Sequence, residues 1–142
     1  VLAKQALLEY DDALLCNAHG DVIEAISSNV FIYQQGCWKT PGLQTCGVRG
    51  VTRGLLTESL IPKSSRQLSI EPISLLDVLQ AEEVFICNSI TGIVAVESFE
   101  FEGAKLPEKI LGLAPKNAKK LWHEFPETKR LEADFNALFE AG

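Results

Sequence analysis

The chain has 142 residues, 46 % of them hydrophobic and 23 % charged, which suits one compact soluble domain and excludes an intrinsically disordered segment. Nineteen acidic side chains against thirteen basic ones leave a formal charge of −6, which argues against nucleic acid or an anionic membrane as partner, since both select a basic surface. The uncharged run at 84–96 is broken by Asn88, Ser89, Thr91 and Gly92, so it lacks the roughly 20 apolar residues a membrane span needs.

At the start of the chain, Val1, Leu2, Leu7 and Leu8, with Ala3 and Ala6, follow helical spacing. Lys4, Gln5 and Glu9 interrupt any signal-peptide pattern, and no Ser, Thr, Asp or Asn caps the helix. The uncapped start and the absence of methionine lead to the expectation that these 142 residues are a piece of a longer chain.

Residues 13–16 read as a strand, and His19-Gly20-Asp21 as a turn into a second strand through Val22, Ile23 and Glu24. Val30, Phe31, Ile32 and Tyr33 form a third, turned at Gln34-Gln35-Gly36 into Cys37-Trp38-Lys39-Thr40. A Gly-rich connection at 46–50 leads into a helix with Val51, Leu55, Leu56 and Leu60 on one face, which Pro62 is expected to stop. Leu68 and Ile70 alternate as in a strand, and residues 73–81 suit a short helix capped by Ser74 with Asp77 three positions on. The runs 84–87 and 93–96 read as buried strands, with Phe99-Glu100-Phe101 extending the second or forming another. The tail is expected to be helical at 117–124, before Pro126, and again at 128–141, where Leu131, Phe135, Leu138 and Phe139 share a face. The fold class is α+β: a curved mixed sheet or pseudo-barrel flanked by helices.

Cys16, Cys37, Cys46 and Cys87 show no CxxC spacing, and His19 and His123 are the only histidines, so no metal site is expected. Reduced thiols are expected, with Cys16 and Cys87 in the core. Neither histidine has a partner in a hydrolase elbow motif.

Three features have chemical potential. Glu24 lies in an apolar strand, where it either points outward on a polar face or meets a group that repays its desolvation. Gly47-Val48-Arg49-Gly50-Val51-Thr52 runs into a helix, as an ordinary turn or as an anion cradle of backbone N–H groups. Cys87-Asn88-Ser89-Ile90-Thr91-Gly92 is a polar loop at the end of a buried strand.

As an ordered set, Glu24, Ser27-Ser28-Asn29-Val30-Phe31, Thr40-Pro41, Cys46-Gly47-Val48-x-Gly50-Val51-Thr52-Arg53 and Val84-Phe85-Ile86-Cys87-Asn88-Ser89 resemble the fold-type IV pyridoxal-phosphate enzymes. That family includes branched-chain and D-amino-acid aminotransferases and aminodeoxychorismate lyases. The Cys46 and Cys87 segments look most like the lyase branch. The resemblance implies pyridoxal 5'-phosphate as cofactor and, as cofactor-binding residues, Glu24 at the pyridine nitrogen, Val51 and Thr52 at the phosphate (Thr52 adding its hydroxyl), Ser89 as a second phosphate contact, and Asn88 as a polar group beside it. It implies cleavage of 4-amino-4-deoxychorismate into 4-aminobenzoate and pyruvate for folate synthesis, in the cytoplasm, by a homodimer. The alternatives are a branched-chain or D-amino-acid aminotransferase and a non-catalytic binding domain.

The chain departs from the family pattern in two ways. Residues 90–95 lack a proline usual in that segment. The Schiff-base lysine is expected before Val1, so no catalytic residue falls within the chain, and Lys4 is not its counterpart. Residues 1–142 are accordingly expected to be the C-terminal cofactor-cradle domain, without the small N-terminal domain and inactive alone.

Overall fold

The computed structural model describes residues 12–17, 19–42, 50–102, 106, 108, 112 and 114–140. The expected opening helix and residues 46–49 lie outside the described residues.

Strand β1 (Leu14–Cys16) pairs antiparallel with β2 (Val22–Ala25), placing Glu24 opposite Leu15. Asn17 shapes the turn between them: its Oδ1 accepts from the N–H groups of His19 and Asp21. Strand β3 (Asn29–Gln34) is the centre of a five-stranded sheet ordered β5-β4-β3-β6-β7, with β4 at Cys37–Thr40, β5 at Gln67–Ile70, β6 at Glu83–Asn88 and β7 at Gly92–Ala95. The β4–β5 pair is parallel and the others are antiparallel. Gln35 and Gly36 both take positive φ, +51° and +77°, between the paired Gln34 and Cys37. That is the mirror-image two-residue turn whose twist matches the strands it joins.

Alternation along β3 divides the interior in two. Phe31 and Tyr33 face one core with Trp38, Phe85, Cys87 and Ile93, and Val30 and Ile32 face the other with Val22, Ile73, Val78 and Val84. Phe31 stacks on Phe85 at 4.8 Å between ring centroids, directly across the β3–β6 register.

The first core is roofed by a continuous helical rod that is α-helical at Val51–Leu55 (α1), π-helical at Leu56–Leu60 and α-helical again at Ile61–Lys63 (α2). Its Leu56, Leu60 and Ile61 are buried. Pro62 therefore does not stop the helix. It sits in the opening turn of α2, directly after the wider π turn, where the ordinary i−4 bond that proline forfeits is already interrupted. Helix α4 (Pro126–Glu140) covers the same core with Leu131 and Phe135. Helix α3 (Leu75–Gln80) packs on the second core, and its Ser74–Asp77 capping box forms as expected.

The expected helix at 117–124 is instead strand β9 (Asn117–Leu121), paired antiparallel with β8 (Ser98–Glu102). The helix-forming Ala-Lys-Lys run is overridden by this pairing, which lets Phe99 and Phe101 pack on the second core from one face of the hairpin. Trp122 follows as a buried anchor, its Nε1–H donating to the Ala81 carbonyl at 2.9 Å. The mixed sheet with flanking helices is the α+β class read from the sequence. Among the described residues no helix is long and apolar enough to cross a membrane, no group of three metal-ligating side chains converges, and Cys16, Cys37 and Cys87 are free thiols.

Candidate functional site

Asn88, the last residue of β6, ties three segments together. Its Nδ2 donates to the Ser27 carbonyl at 3.2 Å and to Ser28 Oγ at 3.0 Å, in the turn between β2 and β3. Its Oδ1 accepts from the N–H groups of Ile90 and Thr91, at 2.8 and 2.7 Å, and from Thr91 Oγ1 at 3.0 Å. Its main-chain carbonyl accepts from Thr52 Oγ1 at 3.0 Å, joining the β6–β7 tip to the start of α1. The β2–β3 turn is held from its other side by Asp12, whose Oδ1 accepts from the Ala13 and Ile26 N–H groups and whose Oδ2 accepts from Ser27 Oγ.

The start of α1 differs from the other helix starts. At α3 the capping box fills the N-terminal donors. At α4 the first residue is Pro126, which has no N–H, and the buried Glu83 accepts from the next two N–H groups, Glu127 at 3.0 Å and Thr128 at 2.8 Å. At α1, Gly50 is the N-cap, no side chain caps it, and the first turn has no acidic residue. Val51 is 73 % exposed, so its end of the helix opens to solvent with the partial positive charge of the helix dipole. Gly50 is required by space: a Cβ there would lie 2.5 Å from Asn29 Oδ1.

The structure thus brings Thr52, Asn88 and Ser89 to one edge, where the α1 start meets the β6–β7 tip, with Val51 beside Thr52. Ser89 is exposed, and its hydroxyl makes no hydrogen bond among the described residues. Glu24 is half-buried on β2, three residues before the turn that Asn88 clamps. Two expectations change in detail. Thr52 is buried and its hydroxyl hydrogen is already donated to Asn88, so what it can offer an anion is its backbone N–H. The Asn88 amide is saturated inside the protein, which makes it a scaffold for its neighbours. Below the site Cys87 is fully buried, and burial pushes its thiol up to about 12 despite the opposing charge of Arg53. Ser27, Ser28 and Thr91 fell within segments the sequence singled out, without their hydrogen-bonding roles, whereas Asp12 did not stand out at all. The nearest local signal was Asn88 with Thr91 three positions on, a pattern that favours side chain-to-backbone turns.

The profile of the family described as "Amino-transferase class IV" matches residues 1–99. The aminodeoxychorismate lyase of Vibrio harveyi is 32 % identical over 121 residues, covering 79 % of this chain and 44 % of that protein. A Methanocaldococcus jannaschii protein provisionally named a branched-chain-amino-acid aminotransferase is also 32 % identical, over 109 residues, covering 77 % of this chain and 37 % of its own. An aminotransferase from Brucella abortus, solved with pyridoxal phosphate bound, shares the fold with a TM-score of 0.78 at 20 % identity, over 98 % of this chain and 43 % of that one. The chain spans less than half the length of these relatives. On the profile match and the two relatives at 32 % identity, the chain belongs to the class IV aminotransferase family, whose fold-type IV enzymes use pyridoxal phosphate.

Proposed function

We propose that this chain supplies the cofactor cradle of a pyridoxal-phosphate enzyme acting on an amine-bearing small molecule. The observation that carries the reading is the uncapped start of α1, knitted through Thr52 to Asn88 and set beside the exposed Ser89. These groups fit a phosphate: the opening N–H groups of the helix donate, the Ser89 hydroxyl donates, and no carboxylate opposes an anion in the first turn. Val51 and Thr52 hold the phosphate through their backbone N–H groups, with Ser89 closing the other side. Asn88 fixes the loop between them. Glu24 holds a proton at the ring nitrogen. When bound, the cofactor supplies an electron-poor ring that stabilises negative charge at the amine-bearing carbon. Residues 1–142 are assigned to the larger, cofactor-holding domain of a cytoplasmic homodimer.

For the reaction itself we infer a lyase that converts 4-amino-4-deoxychorismate to 4-aminobenzoate and pyruvate. The Cys87-Asn88-Ser89 segment and the 121-residue match to the Vibrio harveyi lyase support it. The Methanocaldococcus relative favours a second reading, amino-group transfer to a branched-chain keto acid. Supplying the purified full-length protein with pyridoxal phosphate and each substrate separates the two. Release of 4-aminobenzoate and pyruvate is expected, whereas glutamate-dependent keto-acid conversion without 4-aminobenzoate overturns the lyase reading.

A further inference from the structure

Asn88 makes five side-chain hydrogen bonds to four residues, Ser27 and Ser28 of the β2–β3 turn and Ile90 and Thr91 of its own loop, yet none is to a group that contacts a cofactor in the proposed function. We infer that Asn88 is a positioning residue that sets the phosphate pole of the cradle, while the ring-nitrogen pole at Glu24 keeps its β1 pairing and the Asp12 clamp on the following turn without it. The inference rests on the cofactor reading and adds a division of labour to it.

The division follows from which atoms each residue holds. Asn88 Oδ1 gathers the N–H groups of Ile90 and Thr91 and the Thr91 hydroxyl, which bends the tip sharply after Ser89 and fixes where the Ser89 hydroxyl stands. The same residue's carbonyl receives the Thr52 hydroxyl, so the bent tip and the opening turn of α1 are held in one frame. Without the amide, Ile90 and Thr91 lose these restraints, and the tip keeps its link to the helix start only through the Thr52 hydroxyl on the residue 88 main-chain carbonyl, so the Ser89 hydroxyl is less firmly placed. Glu24 has restraints of its own, although Asn88 Nδ2 also reaches the turn that follows it, at the Ser27 carbonyl and Ser28 Oγ. Its strand is paired with β1, and the turn that follows it is clamped by Asp12 through Ile26 N–H at 3.0 Å and Ser27 Oγ at 2.8 Å. Those contacts survive the loss of Asn88.

The two poles are therefore separable by choosing ligands that carry one of them. Dissociation constants of pyridoxal phosphate, pyridoxal and inorganic phosphate are measured by calorimetry on the purified full-length protein, wild type and Asn88→Ala. Asn88→Ala is expected to weaken pyridoxal phosphate and inorganic phosphate by about tenfold or more while changing pyridoxal by less than about twofold. A general loss of structure would weaken all three alike, so equal weakening overturns the inference, as does no change. Ser89→Ala supplies the second check. Once the hydroxyl is gone, adding Asn88→Ala is expected to cost less phosphate affinity than it does in the wild type, because part of its effect passes through Ser89. Full additivity overturns that route. If the wild type binds pyridoxal but not phosphate, or binds none of the three, the cofactor reading itself fails. If it binds all three and Asn88→Ala leaves them unchanged, only the positioning role fails.

Discussion

Glu83 offers a direct test of how α4 is held to the sheet. It is 3 % exposed at the first position of β6, and its two carboxylate oxygens accept from the Glu127 and Thr128 N–H groups, at 3.0 and 2.8 Å. Pro126 brings no donor, and the Lys129 N–H already bonds to the Phe125 carbonyl, so Glu83 completes the N-terminus of the helix. Two hydrogen bonds to an ionised acceptor are worth roughly 1.5–3 kcal/mol each, and the helix dipole adds about 0.3–1 kcal/mol. Against that stands the cost of burying a carboxylate, several kcal/mol, which its removal recovers. Because Glu83→Ala also strands two donors, one of them on the buried Thr128, the net loss is expected to be about 2–4 kcal/mol. Glu83→Gln should lose nearly as much, since its amide can accept one N–H but turns its own NH2 against the other. Urea unfolding followed by circular dichroism measures both, with a lower midpoint and an unchanged slope as the expected result. A Glu83→Ala midpoint within about 0.5 kcal/mol of wild type would refute the reasoning, because surface-like neutrality is incompatible with a buried double cap.

Gly50→Ala sets a Cβ 2.5 Å from Asn29 Oδ1 and should cost about 1–3 kcal/mol, whereas Gly54→Ala, with nothing within 4 Å, should stabilise by up to about 1 kcal/mol; parallel thermal melts compare them. Arg66 donates to both carboxylate oxygens of Glu127, and this hydrogen bonding first, then the cation's charge, holds the Glu127 carboxyl below its ordinary range. Its folded pKa lies below its unfolded one, so the contribution is present above about pH 4.3 and is lost as pH falls through the depressed value. Unfolding midpoints at about pH 7 and about pH 3 should therefore converge in Arg66→Gln relative to wild type, and an unchanged difference would count against the pair. Cys87, buried and pushed up to about 12, should resist alkylation at neutral pH until urea opens the sheet, as peptide mapping will record.

Much of the fold was legible because its signals are local. Alternation of Val30, Phe31, Ile32 and Tyr33 marks a strand whatever it pairs with, and Ser74 with Asp77 announces a helix start within four residues. Residues 117–121 misled because Ala118, Lys119 and Lys120 favour a helix locally, while the structure is decided by β8, paired from Ser98–Glu102. The cap on α4 was hidden for the same reason: Glu83 lies 44 residues from the N–H it accepts. At the candidate site the glycine and the polar loop were visible as separate pieces. That Thr52 would reach Asn88 across 36 positions, and so commit its hydroxyl hydrogen to the protein, depends on packing the sequence does not display.

Strand β6 joins two tasks that lie at its opposite ends. Glu83 at its start holds a helix, and Asn88 at its end holds a loop, with about 17 Å of fully extended chain between them. Val84, Phe85 and Cys87 in that interval are packed on both faces and leave little slack. β6 thus gives the helix start and the polar edge one shared, packed strand as their common support.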